Sequence, residues 1–582
     1  MIWQSISIRR LGLLGLLAMI CGCQPDSETT SRGQPEEPSQ RLAKLATTPL
    51  LISGGTILTE DAAAPEVEAL LVAEGRIIAL GSTLDLQAQA PNARQLNLKG
   101  RTLMPGFIDS HVHVRELGMD AIKANLVGTT SVAEMVTRLQ QKFLNPVPGE
   151  WLIGQGWDEG AFASWGYPDR AALDVAYPDN PVLLESLHGF AGFANGRALQ
   201  LAGIDSKTPD PEVGQILHRD DGVPTGVLLT LAQALVVDHV PAPSLAQIKQ
   251  AIVAGLKLMA GAGVTSIHEA GMTATDVEAF MALADAGQLP IRVYGLLNGN
   301  DAALMQHWFE QGPLIREDGM LAIRGIKVFY DGSLGSRTAV LAAPYSDHPE
   351  LANPTERITP ALVRKLADQA VAKGFQMAVH AIGDEGNDRI LNLYGDALQN
   401  YSGQDHRWRV EHAQVVLPNY YARAADLGVI SSMQSSHAVG DSGWAEDRLG
   451  PTRIAYAYAW QKVLAAGGHL MINSDLPGEP WTPAETLYFA VTRQKLDGTP
   501  AGGWYADEAL SLPQALHAMT LAGAYGAFQE NLLGSLAVGK AADFVLLDNN
   551  PLLVPATELT QLKVLATYVN GKPVLTEEAS VE

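Results

Sequence analysis

Apolar runs of strand length recur along the chain, and several close on an ionisable residue. LMPGFIDSHVH ends in His111 and His113, GIKVFYDG carries Lys327, QMAVHAIGD His380, WRVEHAQ His412 and HLMINSD Asp475. Helical patterns alternate with them, as in PALVRKLADQAVAKG before FQMAVHA and PNYYARAADLG before VISSMQ. That alternation predicts an α/β fold with parallel strands. Eight strands fit: the run ending in His113, VTSIHEA (264–270), IRVYGLL (291–297), IKVFYD (326–331), MAVHA, RVEHA, VISSMQ and LMINSD. A (β/α)8 TIM barrel follows, in which strand ends ring one pocket and residues hundreds of positions apart meet.

The barrel is expected over 104–524. Its stretch of about 115–260 is too long for one crossover helix and reads as an inserted subdomain overhanging the mouth. Short strands with Gly-containing turns occupy 49–103 and again 525–582, the latter with the hairpin signal Asn570-Gly571. The two ends are expected to build one small β-sandwich.

Composition adds the compartment. Arg9 and Arg10 precede the apolar run LGLLGLLAMICG, too short to span a bilayer, and Cys23 follows it. Residues 20 to 23, Ile-Cys-Gly-Cys, resemble a bacterial lipobox. Residues 1–22 are then a lipoprotein signal peptide, Cys23 takes the lipid, and 23–48, rich in Ser, Glu, Gln, Pro and Thr, is a flexible tether. Gln24 favours the periplasmic face of the outer membrane by the same bacterial sorting rules. An ordinary signal peptide or a short membrane anchor remain the alternatives. The formal net charge of −23 excludes nucleic acid as a partner and limits membrane contact to the anchor. No cysteine follows Cys23, so the mature chain has neither a disulfide framework nor a thiolate metal site.

Period-two geometry turns His111 and His113 to one face of their strand, so two imidazoles converge. Imidazole and carboxylate donors suit Zn²⁺, and also Fe, Mn or Ni. An isolated His in an apolar run is ordinarily a hydrogen-bonded core residue, and His268 reads that way; coincident strand-end positions argue for ligands. Lys327, flanked by Ile326 and Val328, is costly to bury as a bare ammonium. Two resolutions are open: carboxylation of its amine by CO₂ to a carbamate, or a salt bridge, with Asp331 as partner. Glu411 is expected on the opposite strand face from His412.

His-x-His after a strand, then Lys, His, His and Asp, together with IKVFYDGSLGSRTA, HAIGDEGN, RVEHAQ, AYAWQKVLAAGGHLMINSDLPGEP and LLGSLAVGKAADFVLLD, resembles the amidohydrolase superfamily and its amidohydrolase-3 branch of metal-dependent TIM-barrel hydrolases, which includes N-substituted formamide deformylase. The similarity runs over about 50–575. It implies one or two divalent metal ions, zinc first, with His111, His113 and Asp475 on one, His380 and His412 on the other, and carboxylated Lys327 between them. It implies hydrolysis of a non-peptide C–N bond in a small amide, N-acyl or N-formyl, by a metal-bound hydroxide with Asp475 as general base and then acid. A deaminase or a cyclic amide or ester hydrolase uses nearly the same constellation. An inactive metal-binding lipoprotein is the reading from another class. His188, His437 and Arg448 are the expected substrate contacts, although His188-Gly189-Phe190 and Gln434-Ser435-Ser436-His437 depart from the family pattern. A homodimer is compatible with the resemblance.

Overall fold

The apolar runs fold as strands buried on both faces, as parallel strands with helices outside them must be. The structure is a computed structural model that describes residues 48–158, 167–187, 189–211, 214–351, 353–401 and 403–576. The signal-peptide, tether and Cys23 expectations therefore fall outside the described residues, as does His188. Among the described residues eight parallel strands follow one another around the barrel: β1 (Phe107–Val112), β2 (Val264–Met272), β3 (Arg292–Asn298), β4 (Leu321–Phe329), β5 (Gln376–Ala381), β6 (Arg409–His412), β7 (Ile430–Gln434) and β8 (His469–Asn473). Each pairs in parallel with the next in sequence. The ring closes where β8 returns to β1. There the Asp475 N–H donates to the His111 carbonyl (3.0 Å) and the His113 N–H to the Leu476 carbonyl (3.2 Å). Side chains reinforce that junction: the Asp109 carboxylate accepts from the Ser474 hydroxyl (2.6 Å) and from the Ser474 N–H (3.2 Å).

After β1 the helix Val114–Ile122 packs against the helix Leu245–Gly261, which leads into β2. Gly118 and Gly255 lie at the crossing. A Cβ on Gly118 would stand 1.7 Å from the Ala251 carbonyl oxygen, and one on Gly255 2.4 Å from that of Val114, so only glycine admits this approach. Both helices bury side chains in the barrel core, Leu117 on one and Ile252, Leu256 and Met259 on the other. The insertion proper lies between them. It carries a sheet of its own, including Leu152–Trp157, Val182–Ser186, Ala191–Ala194 and Pro224–Leu229, over a separate core of Leu126, Leu139, Trp157, Leu184 and Phe193.

Strands from both chain ends form one further sheet. Thr102–Pro105 pairs antiparallel with Phe544–Leu547, and Ile52, Leu70, Leu103, Phe544 and Leu546 share a core. Asn570 and Gly571 both adopt positive φ (52° and 67°), as a two-residue type I′ hairpin requires, and join Val564–Val569 to Lys572–Thr576.

Candidate active site

The carboxyl ends of the barrel strands bring together six donors predicted from sequence. His111 is the penultimate residue of β1 and buried; His113 follows the strand and opens the next helix. Asp475 follows β8 at φ 55°, a left-handed conformation that Asp tolerates better than most residues. Its Oδ1 lies 3.5 Å from His111 Nε2 and 3.3 Å from His113 Nε2. Its Oδ2 lies 3.9 Å from His412 Nδ1 and 3.7 Å from His437 Nε2. The Lys327 amine on β4 is 3.3 Å from His111 Nε2. The His380 ring on β5 meets the His412 ring at 4.4 Å, and His412 meets His111 at 5.3 Å.

Burial sets the protonation of these groups. Burial, and then the Lys327 ammonium, hold His111 at about 4 and His380 at about 3. Burial likewise holds His412 well below the usual imidazole range. The rings are thus neutral, the form that ligates a cation. Burial raises the Asp475 carboxyl, but the facing His111, His113, His412 and His437 more than offset it and hold it well below the usual carboxylate range. Burial lowers the Lys327 amine to about 8.

This donor set fits a divalent cation. A tetrahedral zinc with arms of about 2.0–2.1 Å has donor-to-donor edges of roughly 3.3–3.4 Å, and the separations of Asp475 Oδ1 from His113 and His111 match that length. His111, His113 and Asp475 form one group of converging donor atoms; His412, His437 and Asp475 form a second.

Four expectations change with the geometry. Lys327 makes no salt bridge to Asp331: among the described residues no carboxylate lies within ion-pairing reach of its amine. Asp331 instead accepts the backbone N–H groups of Val340, Ile382 and Gly383, each at 2.9 Å. Glu411 does not point away from the mouth. It keeps the inward parity of Arg409, and its Oε2 lies 2.6 Å from His111 Nδ1; it is His412, at φ 75°, that leaves the pleat and swings to the same side. His437, expected on the substrate, stacks on His412 (5.7 Å, 16°) and belongs to the donor cluster. Arg448 donates to the Leu334 carbonyl (3.2 Å), lies over the Trp444 ring (3.9 Å) and approaches Asp347 (3.9 Å), so its guanidinium ties loops together.

Asp109 is a further residue of the site, and its strand parity with His111 is the sequence signal that marks it. It is buried at the ring junction, and burial pushes its carboxyl up to about 7. His268 is hydrogen-bonded within the barrel, its Nδ1 2.9 Å from the Arg409 guanidinium.

Residues 94–575 match the model of the Amidohydrolase family. The chain belongs to that family. Among its relatives, Protein LONG AFTER FAR-RED 3 of Arabidopsis thaliana is 31% identical, across 90% of this chain and 91% of the relative. N-substituted formamide deformylase of Arthrobacter pascens is 28% identical, across 90% of this chain and 97% of the relative. The crystal structure of an uncharacterized metal-dependent hydrolase from Pyrococcus furiosus superposes with a TM-score of 0.70 at 27% identity, covering 87% of this amidohydrolase and 100% of that chain. The barrel and the hydrolase class of this amidohydrolase thus stand on both sequence and architecture.

Proposed function

We propose that this amidohydrolase is a metal-dependent enzyme that cleaves the C–N bond of a small N-acyl or N-formyl amide. The observation that carries this reading is the convergence of neutral His111, His380 and His412, together with His113, on ionised Asp475 at one barrel mouth. A divalent cation held by these donors, zinc by donor type, supplies an acidified water and polarises the scissile carbonyl. Asp475 accepts the proton of the attacking water and returns it to the leaving nitrogen, so the amide becomes an acid and an amine. Carboxylation of the Lys327 amine by CO₂, in which an N–C bond forms, one C–O π bond opens and one proton leaves to solvent, would give a carbamate whose single negative charge, shared by two oxygens, would help hold the cation. An amine lowered to about 8 is partly neutral at neutral pH, the form that can add CO₂.

The test combines metal analysis with a panel of N-acyl and N-formyl amines. Cation bound at one or two equivalents, with equal release of acid and amine, is the expected result. Bound cation without turnover on any amide supports a binding protein instead, and ammonia release without an acid supports deamination.

We also propose that Cys23 carries the lipid that holds the chain at the periplasmic face of the outer membrane. Among the described residues no helix is long and apolar enough to cross a membrane. Cys23→Ser is expected to move the protein from the membrane pellet to the soluble fraction; continued pelleting would assign the anchor elsewhere.

A further inference from the structure

Beneath the donor cluster the barrel interior is polar, and its side chains form one connected chain. Arg409, wholly buried on β6, donates from Nε to Glu411 Oε1 (2.6 Å), from Nη1 to His268 Nδ1 (2.9 Å), and from Nη2 to the Ser110 carbonyl (2.6 Å) and Ser432 Oγ (3.3 Å). The other oxygen of Glu411 meets His111 Nδ1 at 2.6 Å. A carboxylate only accepts hydrogen bonds, so Nδ1 of His111 carries the proton and Nε2 keeps its lone pair. That Nε2 is the atom facing Lys327 and Asp475.

A second branch reaches His412. Asn473 on β8 donates to Ser432 Oγ (2.9 Å) and Ser110 Oγ (3.3 Å), and its Oδ1 accepts from Gln434 Nε2 (2.7 Å). With its amino group committed to Asn473, Gln434 presents its carbonyl oxygen to His412 Nδ1 at 2.8 Å. An amide has one donor end and one acceptor end, so His412 must donate from Nδ1, and its Nε2 also keeps a lone pair. Ser110, Ser432, Gln434 and Asn473 are all buried, so their bonds do not compete with bulk water.

We propose that this buried network is a positioning device in which Glu411, held by Arg409, and Gln434, held by Asn473, fix His111 and His412 in the tautomer whose Nε2 can take a cation. It rests on the reading of the mouth as a cation centre. A network present only to fill the barrel would stabilise the fold and leave cation affinity alone.

Three variants of the full chain separate these roles: Glu411→Gln, Gln434→Leu and Gln434→Glu. Each is assayed for zinc affinity by chelator competition, for thermal midpoint, and for kcat and KM as zinc is raised. Glu411→Gln and Gln434→Leu are expected to weaken zinc by about 10–100-fold, with kcat recovering at saturating zinc and KM unchanged. Gln434→Glu keeps an acceptor on His412 Nδ1 and is expected to restore affinity to within about 3-fold of the parent. Folded variants that bind zinc as tightly as the parent would overturn the proposal. Should Glu411→Gln fail to fold because Arg409 loses its partner, the contrast between Gln434→Leu and Gln434→Glu decides it: equal affinities overturn the proposal, unequal ones in the stated order support it. A parent chain that binds no zinc at all would instead remove the cation centre itself.

Discussion

Asp475→Asn lowers kcat on the order of 10³-fold while leaving most of the bound cation in place, the expected signature of a lost proton carrier. Asn is the informative replacement for two reasons. Like Asp, it tolerates the left-handed backbone that this position adopts at φ 55°, so the Asp475 N–H keeps its bond to the His111 carbonyl. Its carboxamide oxygen can still face His111 and His113, which lie 3.5 and 3.3 Å from the native Oδ1. What Asn cannot do is accept and return a proton. Metal analysis and single-turnover kinetics on the same preparation check the two halves separately. A variant retaining more than about a tenth of parental kcat would place the proton carrier on another residue.

Lys327→Ala is expected to strip the centre of cation and of activity together, and a short carboxylic acid added to the buffer is expected to restore part of both. The amine sits 3.3 Å from His111 Nε2, is fully buried, and among the described residues has no carboxylate within ion-pairing reach. As an ammonium it would oppose a cation at the same spot; as a carbamate it would help hold one. The substitution leaves a space about the length of the lysine side chain, which a small carboxylic acid can enter with its two oxygens at the mouth. Cation content should fall by about 10-fold or more. Unchanged cation content and turnover would make Lys327 a packing residue.

Much of this site could be read from the chain because its donors obey simple periodicities. His111 and His113 share strand parity, Lys327 and His380 lie in the last residues of apolar runs that proved to be barrel strands, His412 closes one, and Asp475 follows another. The misreadings arose where local geometry broke the period. Strict alternation through His412 places Glu411 on the far face, whereas His412 and Ala413 adopt φ of 75° and 40°. Of the two resolutions that the sequence leaves open for Lys327, the salt bridge to Asp331 is not formed, because Asp331 is committed to three backbone N–H groups in the next loops. His437 stands in a helix, Ser435–Asp441, that follows β7 directly, so its reach to Asp475 depends on how that helix turns. The polar floor was illegible for another reason. Ser110, Ser432, Gln434 and Asn473 are common polar residues with up to 363 positions between them, and only the closed ring of strands makes them neighbours.

The meeting of β8 with β1 carries a consequence for assembly. The first and last staves of the barrel touch at the mouth through two backbone bonds and the Asp109–Ser474 clasp, and the Asp475 and His111 side chains straddle that seam. A folding chain therefore has no complete centre until its final stave docks, and a cation gripped from both sides would act as a rivet across the join, favouring the shut ring over any sprung one.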